Sequence, residues 1–240
     1  VRRLGEINTS LGFFRPLLVL AIFGLFILSQ PDLGSTIVIG AIVIAILFFA
    51  GISFSQFILL LLLMGILTVV AIYFEPYRYL RFISFTEPFE DFRGSGWQLS
   101  NALLGIGRGE WFGTGLGNSL QKNLYLPEPH TDFIFAVIVE EFGLIGGLIV
   151  ILLFAVLIFG IIKTSIKALE LGKLFQGFLV FGAGILIAIQ AAFNIGVNLG
   201  ILPTKGLTLP FISYGGTSLI LFMFLMGVVL RINFENKTIK

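Results

Sequence analysis

Cysteine is absent from the 240 residues, and histidine occurs once, as His130. The first absence excludes disulfides, thiol nucleophiles and thiolate-held metals. The second argues against a metal centre built on imidazoles. Charge is also scarce: 15 Lys and Arg stand against 13 Asp and Glu, together 12% of the chain, for a net charge of +2. So small an excess implies no nucleic-acid partner, and the basic residues read better as markers of membrane topology. The opening "VRRLGEINTSLGFFRP" has no initiator Met and lacks the layout of a secretory leader. The chain is therefore expected to be part of a longer protein.

What is present is apolar: 57% hydrophobic residues, 27 of them Phe, and a mean hydropathy of +1.05. Such a composition belongs to an integral membrane protein. Runs such as "FSQFILLLLLMGILTVVAIYF" reach the roughly 20 residues that cross about 30 Å of hydrocarbon. Six such segments are expected, at about 14–30, 33–51, 54–74, 133–162, 174–200 and 208–230. The fold class is thus an all-α polytopic membrane protein with about six transmembrane helices, forming a single membrane domain over 1–240. Pro31 and Gly34 in "SQPDLG" separate the first two spans. Residues 75–132 form the one long hydrophilic stretch and the candidate working part.

With an even number of spans, both ends share a side. That side collects Arg2, Arg3, Arg15, Lys163, Lys167, Lys173, Arg231, Lys237 and Lys240, nine of the fifteen basic residues. The other side holds Arg78, Arg81, Arg93, Arg108, Lys122 and Lys205. The excess of Lys and Arg on cytoplasmic loops puts both termini in the cytoplasm and the 75–132 loop outside.

Several constellations could carry chemistry. In "LPEPHTDFIFAVIVEE", Thr131 and Asp132 read either as the cap and first turn of a helix, where a carboxylate is stabilised, or as a catalytic place. Glu140 and Glu141 fall about 12 Å further along that helix. A charge at such depth must pair with a cation, face a polar cavity or be protonated. Gln190, Asn194 and Asn198, at i, i+4 and i+8, line one stripe, suited to interhelical hydrogen bonds or to the wall of a polar groove. Arg108 and Lys122 flank a run holding Gly105, Gly107, Gly109, Gly113, Gly115 and Gly117. This run is no P-loop, yet its backbone can approach a pyrophosphate closely. Lys205, between Pro203 and Pro210, is either a snorkelling turn residue or a cation held ready for an anionic headgroup.

The stretches "QPDLG", "GRGEWFGTGLGNSLQKNLYLPEPHTDFIFAVIVEEFG" and "LPTKGLTLPFISYGG", in this order and spacing, closely resemble the SEDS family (shape, elongation, division and sporulation), in its division-type rather than elongation-type form. The resemblance implies a ten-span fold whose first four or so spans are missing here. It also implies a peptidoglycan glycosyltransferase of the bacterial inner membrane that polymerises lipid II at the division site, beside a class B penicillin-binding protein and other division proteins. The family's essential aspartate falls on Asp132, its Pro-Glu pair on Pro127 and Glu128, and its Lys-Gly-Leu-Thr-Leu-Pro motif on Lys205. Pro129 departs from the family's common Ala and stiffens the approach to Asp132.

The expected roles follow. Asp132 is the general base, with Glu128 orienting it or a sugar. Arg108, Lys122, Lys205 and His130 bind substrate, the cations or a divalent metal ion answering the growing charge of a pyrophosphate leaving group. Two rivals stand beside this reading: a lipid II flippase whose path runs through Glu140, Glu141 and the amide stripe, and a noncatalytic division scaffold.

Overall fold

The structure is a computed structural model that describes residues 10–30, 32–92 and 94–238; of Ser10, Leu11 and Leu124 only the backbone is described. Pro31, the expected helix breaker, and the topology markers Arg2, Arg3, Arg93 and Lys240 lie outside the described residues. The described chain is helical: α1 Ser10–Ser29, α2 Leu33–Phe49, α3 Phe54–Tyr73, α4 Pro76–Thr86, α5 Trp97–Gly109, α6 Ile134–Glu170, α7 Leu174–Asn198 and α8 Gly216–Thr238, with a π-helical turn at Gln121–Tyr125.

The six expected segments correspond to α1, α2, α3, α6, α7 and α8. Five of these are long and apolar enough to cross a membrane, and α2 is a shorter apolar helix of 17 residues, about 26 Å by the helical rise. The chain is thus a multi-pass membrane protein. Short links restart the first helices by side-chain capping. Asp32 accepts the Ser35 N–H at 3.0 Å ahead of α2, and Ser53 with Gln56 forms a capping box ahead of α3. The last span begins at Gly216, later than residue 208, because Pro210 and a left-handed Phe211, φ 65°, interrupt any earlier helix. On α3, Leu60 is buried while Leu59, Leu62 and Val69 point outward, so the helix packs on this chain by one side only.

The described residues divide into two compact units, one within Val1–Glu75, Ile161–Ile189 and Val229–Lys240, the other within Pro76–Gly160 and Gln190–Val228. The first packs Phe13, Ile44, Leu47, Ile52 and Leu60 into one core, with Phe49 stacked on Phe181 at 3.8 Å between centroids. In the second, Ala102, Leu126, Phe133, Ala136, Val137 and Val197 form the core. This unit contains the 75–132 stretch from Pro76 onward, which is no open loop: α4, α5 and the π-helical turn are built from it.

The α6 span was expected to run unbroken over 133–162. Instead it is interrupted at Gly143, φ 72° and ψ −174°, leaving a short helix over 134–142 and one over 144–170 that is about 40 Å long. Glu140 and Glu141 therefore end a short helix rather than sit in mid-span. The backbone groups freed by the break find partners in residues 110–115. Thr114 and Gly115 donate N–H to the carbonyls of Glu140 and Glu141, at 2.9 and 3.0 Å. Leu144 and Ile145 donate theirs to Glu110 and Trp111, at 2.8 and 3.3 Å. Membrane helices tolerate breaks where protein groups satisfy the freed backbone in this way. The approach needs glycine: a Cβ on Gly113 would overlap the Glu141 carbonyl, and one on Gly143 the Trp111 carbonyl, both at positive φ.

Candidate functional site

Asp132 lies two residues ahead of α6. Thr131, expected to cap that helix, turns its hydroxyl back onto Glu128 instead, 2.9 Å from Oε2. The cap comes from α7, where Asn198 Oδ1 accepts the Ala136 N–H at 3.0 Å. The same stripe grips the main chain of Asp132: Nδ2 of Asn194 and of Asn198 donate to its carbonyl at 2.9 and 3.0 Å. Asn194 also reaches the Leu207 carbonyl at 2.6 Å. Both asparagines are buried, and buried amides have to be partnered. Gln190, a turn earlier on the stripe, makes none of these bonds. None of them uses the Asp132 carboxylate.

The segment between α7 and α8 closes on the same place. Ser213 donates its hydroxyl to the Thr131 carbonyl at 2.6 Å and accepts the Leu209 N–H at 2.7 Å. Tyr214 donates its N–H to the His130 carbonyl at 2.8 Å. Gly206 stands so near that a Cβ on it would lie 2.9 Å from Asp132 Oδ2, which puts Lys205 on backbone adjoining the carboxylate. From α4, Arg81 extends its Nη1 to within 3.5 Å of the Thr204 carbonyl, the outer limit of a hydrogen bond, with its guanidinium 5.0 Å from the Tyr77 ring centre.

The electrostatics suit a base. Asp132 is half-buried, and its carboxyl is raised above the ordinary carboxylate range, first by desolvation and then by the negative charge of Glu128, with the positive charge of Arg81 opposing. Glu128 itself is exposed and holds a left-handed backbone, φ 53°, directly before Pro129. The N–H groups of Thr131 and Phe133 on its carbonyl keep it there. Backbone strain of this kind collects at working sites.

Arg108 and Lys122 are brought to a different cluster. Glu140, fully buried, accepts Arg108 Nη1 at 3.2 Å, the Ser119 hydroxyl at 2.5 Å, and the N–H groups of Leu120 and Gln121 at 3.0 and 3.4 Å. Glu141 pairs with Lys122 Nζ at 2.5 Å. A cavity of about 550 Å³ opens beside this cluster, lined by Ile106, Gly107, Glu110, Trp111, Val139 and Leu144. Apart from Gly107 of the glycine run, it contains none of the candidate residues. Among the described residues, no three His, Asp or Glu side chains gather as a metal cage.

Arg81 carries no signal that a reading of charge and motif picks out as a site, and Ser213, although inside the stretch "LPTKGLTLPFISYGG", is not singled out by it. Arg81 counts there only as a topology marker. The signal that was available is the alternation of basic and apolar residues over 76–86, which makes α4 amphipathic.

Residues 6–238 match the family model described as cell cycle protein, FtsW/RodA/SpoVE. The chain is 47% identical over 240 residues to the probable peptidoglycan glycosyltransferase FtsW of Pasteurella multocida (strain Pm70), covering all of this chain (100%) and 61% of that one. It is 49% identical over 237 residues to the protein of the same name from Haemophilus influenzae, covering 98% and 60%. The chain thus spans about three fifths of the length of these curated relatives. Among solved structures, one described as structural coordination of polymerization and crosslinking by a peptidoglycan synthase complex superposes with a TM-score of 0.76 at 26% identity, covering 96% of this chain and 64% of that one. A mutant of the rod shape determining protein RodA of Thermus thermophilus gives 0.62 at 25% identity, covering 96% and 59%.

Proposed function

The chain belongs to the cell cycle protein family FtsW/RodA/SpoVE, and from that membership we propose that it is the catalytic part of a glycosyltransferase that polymerises lipid II into peptidoglycan strands. The observation that carries this reading is Asp132: its main chain is clamped by Asn194 and Asn198, while its carboxyl is made more basic by its surroundings. The acceptor's 4-hydroxyl oxygen attacks the donor's anomeric carbon, forming the new glycosidic bond. The bond from that carbon to the polyprenyl pyrophosphate breaks, its electron pair leaves on the pyrophosphate oxygen, and the hydroxyl proton passes to Asp132. A single displacement inverts the anomeric centre and needs one carboxylate only.

Glu128 and Asp132 lie close enough for one charge to raise the other's pKa, and a hard divalent cation takes one or two carboxylates together with substrate phosphates. Were one used, these two residues would hold it, and it would supply neutralisation of phosphate charge. The flippase alternative draws on Glu140, Glu141 and the amide stripe as a polar path. Those glutamates are paired with Arg108 and Lys122, and two of the three amides are engaged at the start of α6, which favours the enzyme. The deciding experiment gives purified lipid II to the full-length protein with its class B penicillin-binding partner and resolves glycan products on gels, beside a vesicle assay for flipping. Glycan chains are expected. Flipping with no polymer moves the function to a transporter.

The proposed setting is the inner membrane at the division site, with both ends of the chain cytoplasmic and the site outside. Single cysteines at Ser95 and at Glu170, both exposed, report this orientation. Ser165 is unsuited to the purpose, being buried with its hydroxyl on the Gly177 carbonyl. A membrane-impermeant thiol reagent on intact spheroplasts is expected to label position 95 and spare 170. The reverse pattern inverts the topology.

A further inference from the structure

Resting on that reading, we infer that Arg81 binds the pyrophosphate of the lipid-linked donor and takes up the charge of the leaving group. Three observations lead there. The charges of Arg108 and Lys122, two of the three cations that sequence alone offers for this task beside Lys205, are answered by Glu140 and Glu141. Arg81, by contrast, has neutral partners, the Thr204 carbonyl and the Tyr77 ring. One Nη1 hydrogen goes to Thr204, which leaves the greater part of the five-donor guanidinium fork for phosphate oxygens.

Place is the second observation. Thr204 is two residues from Gly206, whose backbone adjoins the Asp132 carboxylate, so the guanidinium and the base lie on opposite ends of a few residues of chain, roughly 7 Å at full extension. The 204–207 loop cannot drift from Asp132, because Asn194 holds the Leu207 carbonyl and the Asp132 carbonyl with one amide nitrogen. An inverting displacement needs this relation: proton acceptor on one side of the anomeric carbon, leaving-group cation on the other, neighbours that do not pair. The third observation is that Arg81 acts on Asp132 through charge alone, lowering its carboxyl against the larger raising effects without a bond between them. A cation committed to neutralising the base would sit on it.

The group transferred is the donor glycan. The electron pair of the breaking carbon–oxygen bond moves onto the pyrophosphate oxygen, where Arg81 stabilises it, and the proton is already accounted for on Asp132. Arg81 is thereby separated from the basic residues that only mark topology.

The test is direct binding, which needs no turnover. Radiolabelled farnesyl pyrophosphate, a short soluble probe, is titrated onto the full-length protein in detergent, with farnesyl monophosphate as competitor. The parent protein is expected to bind the pyrophosphate and to prefer it over the monophosphate. Arg81→Gln weakens binding by about 10- to 100-fold, the range for losing hydrogen bonds to a charged group. Arg81→Lys, which keeps the charge and loses the fork, falls between. Arg231→Gln, which removes an exposed charge elsewhere, leaves binding unchanged. Binding by Arg81→Gln equal to that by Arg231→Gln overturns the assignment, as does a parent that ignores the probe. Should Arg81→Gln fail to fold, Arg81→Lys decides: unaltered affinity and unaltered preference for pyrophosphate overturn it. Loss of binding in a parent that polymerises counts against Arg81 alone, and a parent that binds the probe yet makes no polymer counts against the enzymatic reading alone.

Discussion

Asp132→Asn in the full-length protein lowers glycan polymerisation by a factor in the 10²–10⁴ range typical of removing a general base, with expression and partner binding retained. The structure gives a reason to expect so clean a separation. What fixes residue 132 is its main-chain carbonyl, which accepts from Asn194 and Asn198, and an asparagine presents the same carbonyl. The side chain keeps its size and loses charge and basicity. The pH profile tests the assignment further. A base works deprotonated, so the rate falls as pH drops through the Asp132 pKa, which is raised by burial and by Glu128 against the pull of Arg81; the acidic limb therefore lies above the ordinary carboxylate range. Glu128→Gln removes one raising charge, and the limb moves to lower pH. Near-normal polymer from Asp132→Asn, or a limb indifferent to Glu128→Gln, takes the base role away from Asp132.

Glu140→Ala is the substitution with the largest expected cost to the fold. It strips the partner from the Arg108 guanidinium and leaves the Ser119 hydroxyl and the N–H groups of Leu120 and Gln121 without their acceptor. Arg108, with 43% of its side chain exposed, is left to solvent, so the cost falls on the donors that lose their acceptor, about 1–3 kcal/mol for each one that stays buried and unsatisfied. Glu140→Gln keeps the shape and one acceptor oxygen, so its loss is smaller, about 1.5–3 kcal/mol, the worth of hydrogen bonds to a charged group. Folded fraction on heating in detergent, with proteolysis mapped across 108–121, measures both. An Ala variant as heat-stable as its parent would falsify the view that this carboxylate holds the glycine-rich segment in place.

The spans were legible because hydropathy and length suffice for them. Phe54–Phe74 needs no partner to be recognised as membrane-crossing, and α3 lies within a residue of it. The break at Gly143 was not legible, since "FGLIGGLIV" reads as well in a continuous helix, where membrane spans carry glycine freely. Its cause is tertiary: carbonyls and N–H groups of residues 110–115, supplied from some thirty positions upstream. Asn194 and Asn198 showed as a stripe, and a stripe says that partners exist without saying which. That they cap α6 and hold Asp132 depends on contacts 62 and 66 positions apart. Arg81 was hidden for the same reason, its partner Thr204 being 123 positions distant.

The broken helix bears on how such a chain is made. Ribosomes deliver residues 110–115 before 134–170, so the groups that stitch the break are already synthesised when the apolar run emerges. Until they dock, an interruption at Gly143 would leave carbonyls and N–H groups unpartnered in hydrocarbon, at several kcal/mol each, and the run is most stable as one straight helix. Opening at Gly143 is thus expected to follow the docking of residues 110–115, a segment that itself spans nothing.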